Sequence, residues 1–369
     1  MRVLIAGQSQ TDIGGVQRYE RELASWLLER GHLPIVYATD RGEAARELQR
    51  RTIPVTDDLN SITAPVDIIH GDGRLETMAA LLHFPHVPAV FVAHGWRTVP
   101  PRFPRIGRYV AVDDTCADNL MTQHGIAPER ISVLLNAVDI DLFRQREPLP
   151  PHPRRAVAFG NLAHELTFLP AIREACRQSS IELDVISAMA NTSVAEPEEV
   201  LGRYDLAFAK AKCAMEAMSC GLAVILCSHA GLSGMVRSED FDRLRRLNFG
   251  MRALQKPVTV ENVLAELARY DPLDARAVSE RIRATASSDS MHAALFAIYE
   301  EVIAEQAAAP ADPLAEGRAA AALLHEIAAA QWRTEVHLGT LAKASQRVIQ
   351  MPLVGPVTAR ALRWLTRRK

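Results

Sequence analysis

The chain has 369 residues, 48% hydrophobic and 23% charged, which excludes a largely disordered protein. At roughly 100–200 residues per domain it has room for about two cores, and its formal net charge of −2 speaks against a strongly basic nucleic-acid binder, so no nucleic-acid partner is expected. That balance hides an asymmetry: no acid follows Glu335, whereas Lys343, Arg347, Arg360, Arg363, Arg367, Arg368 and Lys369 do, leaving residues 1–335 at −9.

The first apolar run, in MRVLIAGQSQ, is too short for a signal-peptide core. Apolar runs at 3–6, 34–38, 66–70, 89–93, 109–112 and 131–135 predict strands. They lack strict polar alternation, as expected of parallel strands covered on both faces. The first helix between them carries Val16, Tyr19, Leu23, Trp26 and Leu27 on one face. PLPPHP at 148–153 is stiff and ends one unit, and the pattern then restarts. Strands are predicted at 156–159, 183–187, 206–209 and 223–227, with helices at 168–177 and 214–220 and mainly helix over 242–308. The expected fold is α/β: two Rossmann-like domains, 1–148 and 149–309, with a cleft between them where a ligand binds outside the strands' carboxyl ends. AAAPADP at 307–313 opens a third region, 310–369, a helical basic extension that is Ala-rich over 314–331 and broken later by Pro352 and Pro356. Nowhere do about 18 apolar residues run together, so no transmembrane helix is expected.

Five cysteines without a C-x-x-C pair fit reduced thiols in a cytoplasmic chain. Cys213, Cys220 and Cys227 recur every seven residues, but Cys227 falls in a predicted strand and the others on a helix. Small buried side chains are expected there, and no metal site.

Gly14 and Gly15 follow the first strand and precede a helix. They suit either a phosphate or sugar contact at a helix N-terminus or a plain strand–helix turn. His94, at the end of the run 89–93, is either a hydrogen-bonding group facing the cleft or a structural histidine. Arg97, Arg102, Arg105 and Arg108 either hold phosphates or solvate a loop. Asp139-Ile140-Asp141 reads as a turn with a capping aspartate. The richest stretch is YDLAFAKAKCAMEAMSCGLAVILCSHAGLSGMV at 204–236, where Lys210 and Lys212 head a helix that carries Glu216. Only five of the 42 Lys and Arg residues are lysine, and two sit here. Ammonium heads beside helix N–H groups suit a diphosphate, and a carboxylate suits the two hydroxyls of a ribose; the bland reading is an amphipathic helix with a solvated start.

Taken in order, GGVQRYERELASWLLERGH (14–32), VDIIH (66–70), VFVAHG (90–95), the stretch 109–143 and YDLAFAKAKCAMEAMSCGLAVI (204–225) resemble the family-4 glycosyltransferases of the GT-B fold over about 1–305. The resemblance implies a retaining, metal-independent, hexosyltransferase-like enzyme without a cofactor. It would take a nucleotide-sugar donor and a glycan, glycolipid, lipid-linked or small acceptor, as in polysaccharide biosynthesis. It assigns the acceptor to 1–148 and the donor to 149–309. It places Gly14 and Gly15 near the donor phosphates or acceptor, His94 on the donor sugar, Glu216 on the ribose as the second glutamate of an E-x7-E element, and Gly231 near the diphosphate.

The first glutamate of that element is replaced by Phe208. The family's usual Arg and Lys are absent from FGNLAHE at 159–165, and a later glutamate is replaced by Gly234. Lys210 and Lys212 are the expected substitute cations. The departures keep open a degenerate GT-B protein that binds nucleotide or glycan, or scaffolds an assembly, without turnover; a nucleotide-sugar epimerase is a further rival. In the tail, Leu353, Val354, Val357, Ala361, Leu362, Trp364 and Leu365 beside the arginines suit an anionic membrane surface, so a peripheral position at the inner membrane face is expected; packing on the acidic body or a partner subunit, or a frayed, solvated end, are the alternatives.

Overall fold

The computed structural model describes residues 1–11, 14–194, 196–309 and 312–349. The first sheet comprises β1 (Arg2–Ala6), β2 (Leu33–Tyr37), β3 (Val55–Thr56), β4 (Ile68–Gly71), β5 (Ala89–Ala93), β6 (Ile106–Ala111) and β7 (Ile131–Val133). Their order is β3-β2-β1-β4-β5-β6-β7 and every neighbouring pair is parallel. Helices α1 (Gly15–Glu29), α2 (Glu43–Arg50), α3 (Arg74–His83) and α4 (Asp114–Thr122) supply the crossovers that parallel strands require. They bury the strands on both faces, and β5 is buried at all its residues.

The second sheet comprises β8 (Arg155–Phe159), β9 (Glu182–Ile186), β10 (Leu206–Ala209), β11 (Ala223–Ser228) and β12 (Gly231–Met235), in the order β12-β11-β10-β8-β9. Its pairs are parallel except β11 with β12. Side chains alternate between two apolar clusters: Val157, Phe159, Ala207 and Ala209 enter one, Ala156, Ala158, Leu206 and Phe208 the other. Around this sheet lie α5 (Leu169–Gln178), α6 (Glu198–Leu201), α7 (Ala211–Ser219), α8 (Phe241–Arg246), α9 (Val260–Leu267) and α10 (Pro272–Thr285). Polar residues fix several helix starts. Asp271 accepts the N–H groups of Leu273 and Asp274 at the head of α10, with Pro272 at its first position. The chain therefore adopts the expected α/β architecture of two Rossmann-like lobes.

Two strands escape the apolar pattern. β3 is only two residues long. β12 is GLSGM, whose two glycines adopt positive φ, +145° at Gly231 and +126° at Gly234. A β-carbon on Gly234 would lie 2.7 Å from the Glu266 carboxylate, so glycine is a packing requirement there. α11 (Ser288–Ala308) follows the second sheet in sequence but packs on β5 and β6 of the first. Asp289, near its start, accepts a hydrogen bond from Trp26 Nε1 of α1 at 2.8 Å.

α12 (Pro313–Ile349) belongs to a separate unit, starting where Asp312 accepts the N–H groups of Leu314 and Ala315. It runs well past the predicted 314–331. No helix among the described residues is long and apolar enough to cross a membrane. The predicted apolar side at 353–365 and its arginines lie outside the described residues.

Candidate active site at the two switch points

In the first sheet the order reverses between β1 and β4; the chain leaves these strands toward opposite sides and opens a crevice at their carboxyl ends. Gly15 heads α1 just after β1, Asp72 follows β4, and His94 follows β5. Gly15, Gln17, Asp72, His94, Arg97 and Val99 line a cavity of about 450 Å³ there.

Beneath this cavity runs a buried polar chain. The side chain of Asp72 is fully buried and lies between two histidines: His94 Nε2 is 2.7 Å from Oδ1, and His70 Nε2 is 3.2 Å from Oδ2. Tyr299 of α11 completes the chain, its hydroxyl 2.6 Å from His70 Nδ1. Tyr19 packs its ring against both histidines. Burial works to raise the Asp72 carboxyl, but the two histidines outweigh it and hold Asp72 well below the usual carboxylate range. Glu20 is the opposite case. Burial, then the Asp72 charge, push its carboxyl well above the usual range, and Gln10 donates to it.

An ionised carboxylate only accepts hydrogen bonds, so both histidines present Nε2–H to Asp72. For neutral rings Nδ1 is then the lone-pair nitrogen. His70 Nδ1 accepts from the Tyr299 hydroxyl, and His94 Nδ1 makes no hydrogen bond among the described residues. In its neutral form His94 thus presents an acceptor nitrogen to a substrate hydroxyl, with Asp72 steadying the tautomer.

The second space lies at the carboxyl ends of β8 and β9 and along α7, which follows β10. Its walls include Gly14, Gly15 and Arg18 from the first lobe and Asn161, Lys212 and Glu216 from the second. It is narrow, about 90 Å³, and shares Gly15 with the first cavity. Glu216 is 2% exposed and its Oε2 has no hydrogen-bond partner. Burial pushes this carboxyl up to about 7, with the Lys212 and Arg18 cations pulling the other way. Lys212 Nζ lies 2.6 and 2.7 Å from the two carboxylate oxygens of Glu22 on α1.

The structure therefore brings Gly14, Gly15, Lys212 and Glu216 to one space, and Gly15 with His94 to the other. Lys210 is the N-cap of α7, in extended backbone, and lines neither. Gly231 also stands apart from both: it is buried in β12, where a β-carbon would meet Lys256 O at 2.8 Å. Phe208 is packed in the core, so nothing at that position replaces the missing carboxylate. Asp139 accepts the N–H groups of Asp141 and Leu142, the expected capping turn. Of the four arginines beyond His94, Arg105 donates to the carbonyls of Leu81, Phe84 and Val87, and Arg108 pairs with Glu305. The sequence pattern did not single out Asp72, Tyr299 or Arg18. Asp72 had a signal, since its i,i+2 spacing from His70 at a strand end puts both side chains on one face.

Two Rossmann-like lobes whose carboxyl-end loops face a shared crevice define the GT-B architecture. Residues 13–142 match the family described as Glycosyltransferase Family 4. Among solved structures, a glycosyltransferase from Rickettsia africae ESF-5 superposes with a TM-score of 0.59 at 14% identity, covering 82% of this chain and 98% of its own. Anabaena Alr3699/HepE in complex with UDP and glucose gives 0.56 at 14% identity, covering 81% and 99%. Sucrose-phosphate synthase from Thermosynechococcus elongatus gives 0.54 at 13% identity, covering 82% and 99%. These likenesses establish the shared GT-B fold. No curated protein sequence matches the chain.

Proposed function

We propose that the protein is a retaining glycosyltransferase that moves a hexose from a nucleotide-sugar to a hydroxyl of a glycan, glycolipid or lipid-linked acceptor. Residues 149–309 hold the donor and 1–148 the acceptor. One observation carries this reading: Glu216, buried with an unpartnered oxygen, faces a space flanked by cations and by the head of a helix. A carboxylate that accepts two ribose hydroxyls satisfies that oxygen, and α7 N–H groups with side-chain cations suit the attached diphosphate. The family match of the first lobe and the UDP and glucose held by the Anabaena protein support the same assignment.

Glycosyl transfer builds positive charge at the anomeric carbon and negative charge on the departing diphosphate. Fixed dipoles and cations in a water-poor crevice stabilise both without reorganising. Leaving-group charge is met by side-chain cations and backbone N–H groups, and the reaction runs without a bound metal. His94 Nδ1 accepts a hydroxyl of the transferred sugar. Incubation with a panel of nucleotide-sugars, with and without acceptor extract, tests the reading: release of nucleoside diphosphate that rises with acceptor supports it, and no release from any donor defeats it.

A second reading, a nucleotide- or glycan-binding protein without turnover, draws on Phe208, which leaves the first position of the paired-glutamate element apolar and buried. Saturable nucleotide binding without product in the same panel favours it. We also place the protein at the cytoplasmic membrane face through the basic residues after Glu335. Equal sedimentation with anionic liposomes by the full chain and a chain lacking 336–369 defeats that placement.

A further inference from the structure

If the donor binds where Glu216 faces the second space, as proposed above, its diphosphate needs a cation, and FGNLAHE at 159–165 supplies none. Lys210 lines neither space, and Lys212 is already matched by both oxygens of Glu22. Arg18 is the remaining cation in the wall. It sits in the first turn of α1, on the opposite lobe from Glu216, and its charge acts on both Glu216 and Cys213 of α7. Its guanidinium makes no hydrogen bond or ion pair among the described residues.

The reason lies one turn along the same helix. Glu22 is four residues from Arg18, the spacing at which opposite charges normally pair on a helix. Lys212 occupies both Glu22 oxygens and so takes away Arg18's local partner. A half-buried arginine left free beside an unpartnered carboxyl oxygen is a mismatch that a bound ligand resolves. Guanidinium offers parallel N–H donors that fit a phosphate in a bidentate manner.

We propose that Arg18 is the diphosphate-binding cation of this protein, contributed by the first lobe in place of the pair absent from the second, and that Lys212 is a positioning residue that keeps it free by holding Glu22. The ligand group is the diphosphate of a nucleotide-sugar.

Calorimetric titration of UDP, ADP and GDP, and of the matching nucleosides, into the full chain tests this. With the nucleoside diphosphate that wild type prefers, R18A binds at least tenfold more weakly, while the nucleoside binds both proteins alike. R18K recovers part of the loss, because one ammonium replaces the fork. K212A weakens diphosphate binding in the wild-type background, where Glu22 captures Arg18, and changes it much less in R18A. Wild type that binds a nucleoside diphosphate, with R18A binding it equally well, overturns the assignment of Arg18 alone. Wild type that binds none of the three overturns the donor-site reading and this inference together. A comparable loss in both nucleoside and diphosphate binding assigns Arg18 to general packing and also overturns the inference.

Discussion

Lys212 of α7 holds Glu22 of α1 by both carboxylate oxygens, at 2.6 and 2.7 Å, and thereby joins a helix of the second lobe to the helix that heads the first. The space beside this pair, about 90 Å³, is smaller than the several hundred cubic ångströms of a small-molecule site. A nucleotide-sugar bound here, as proposed, is larger than this space, so its entry is expected to part these walls, a motion of the kind that gates many transferring enzymes.

The pair gives a signed prediction. In E22Q the ammonium of Lys212 is uncompensated and adds to Arg18, so nucleoside diphosphate binds about three- to tenfold more tightly. In K212A the carboxylate turns to Arg18 and binding weakens by a similar factor. E22Q/K212A returns close to wild type, because Arg18 is free in both. Calorimetry at two ionic strengths checks the order, and the spread narrows as salt rises.

Asp72 bears on both function and stability. D72N replaces an acceptor of two N–H groups by an amide with one acceptor oxygen and one donor group. One histidine then faces a donor, and the buried polar chain loses its order. Sugar transfer is expected to fall about 100-fold or more, through disturbance of His94, with an unfolding free energy lower by about 1–3 kcal/mol. Nitrogen NMR of the wild-type ring reports His94 as the Nε2–H tautomer; an Nδ1–H signal contradicts the arrangement.

How far the sequence reached follows from where each signal is stored. Parallel strands are written locally, as short apolar runs, so β5 and β10 fall at their predicted residues. Gly14, Gly15 and His94 sit at a helix head or strand end and Glu216 lies within the helix that follows β10, so local pattern and the switch-point rule together point to them as candidates. Tyr299 reaches His70 across 229 residues, and no local pattern encodes that contact. The role proposed for Arg18 is equally hidden, because it depends on Lys212 taking Glu22 across a gap of 190 residues. Gly231 carries a signal of another kind. Glycine there answers a positive φ and the nearby carbonyl of Lys256, yet in sequence it looks the same as a ligand-loop glycine.

Gly15 separates packing from binding. A β-carbon there would meet no atom within 4 Å, although the residue borders both cavities. Its backbone is not in the left-handed region, so alanine is tolerated and restricts the unfolded chain. G15A is expected to keep or gain stability, by up to about 1 kcal/mol. G15V fills the open space and weakens nucleotide or acceptor binding while the melting temperature holds within a few degrees. A large loss of stability in G15A removes the reason for reading that space as ligand volume.

The carboxyl of Glu216 links pH to both stability and affinity. Its ionisation is displaced from the ordinary glutamate value to about 7, chiefly by burial. Between those values the folded protein holds a proton that the unfolded chain has lost. Stability is therefore fully present below the unfolded value and drains away as pH rises through about 7. At about 1.4 kcal/mol per pH unit the whole effect amounts to no more than about 3.5 kcal/mol. E216Q has no such proton to hold, so the difference between its unfolding free energy and that of wild type changes across this window and is flat above it. Ligand binding runs the other way. Ribose hydroxyls donate to the charged carboxylate, so nucleotide affinity is expected to climb from pH 6 to pH 8 in wild type and to lose that climb in E216Q. Urea unfolding and calorimetry across the same pH series measure both slopes. Affinity that falls with pH in wild type assigns the hydroxyls to the protonated acid and reverses the hydrogen-bond direction drawn for Glu216.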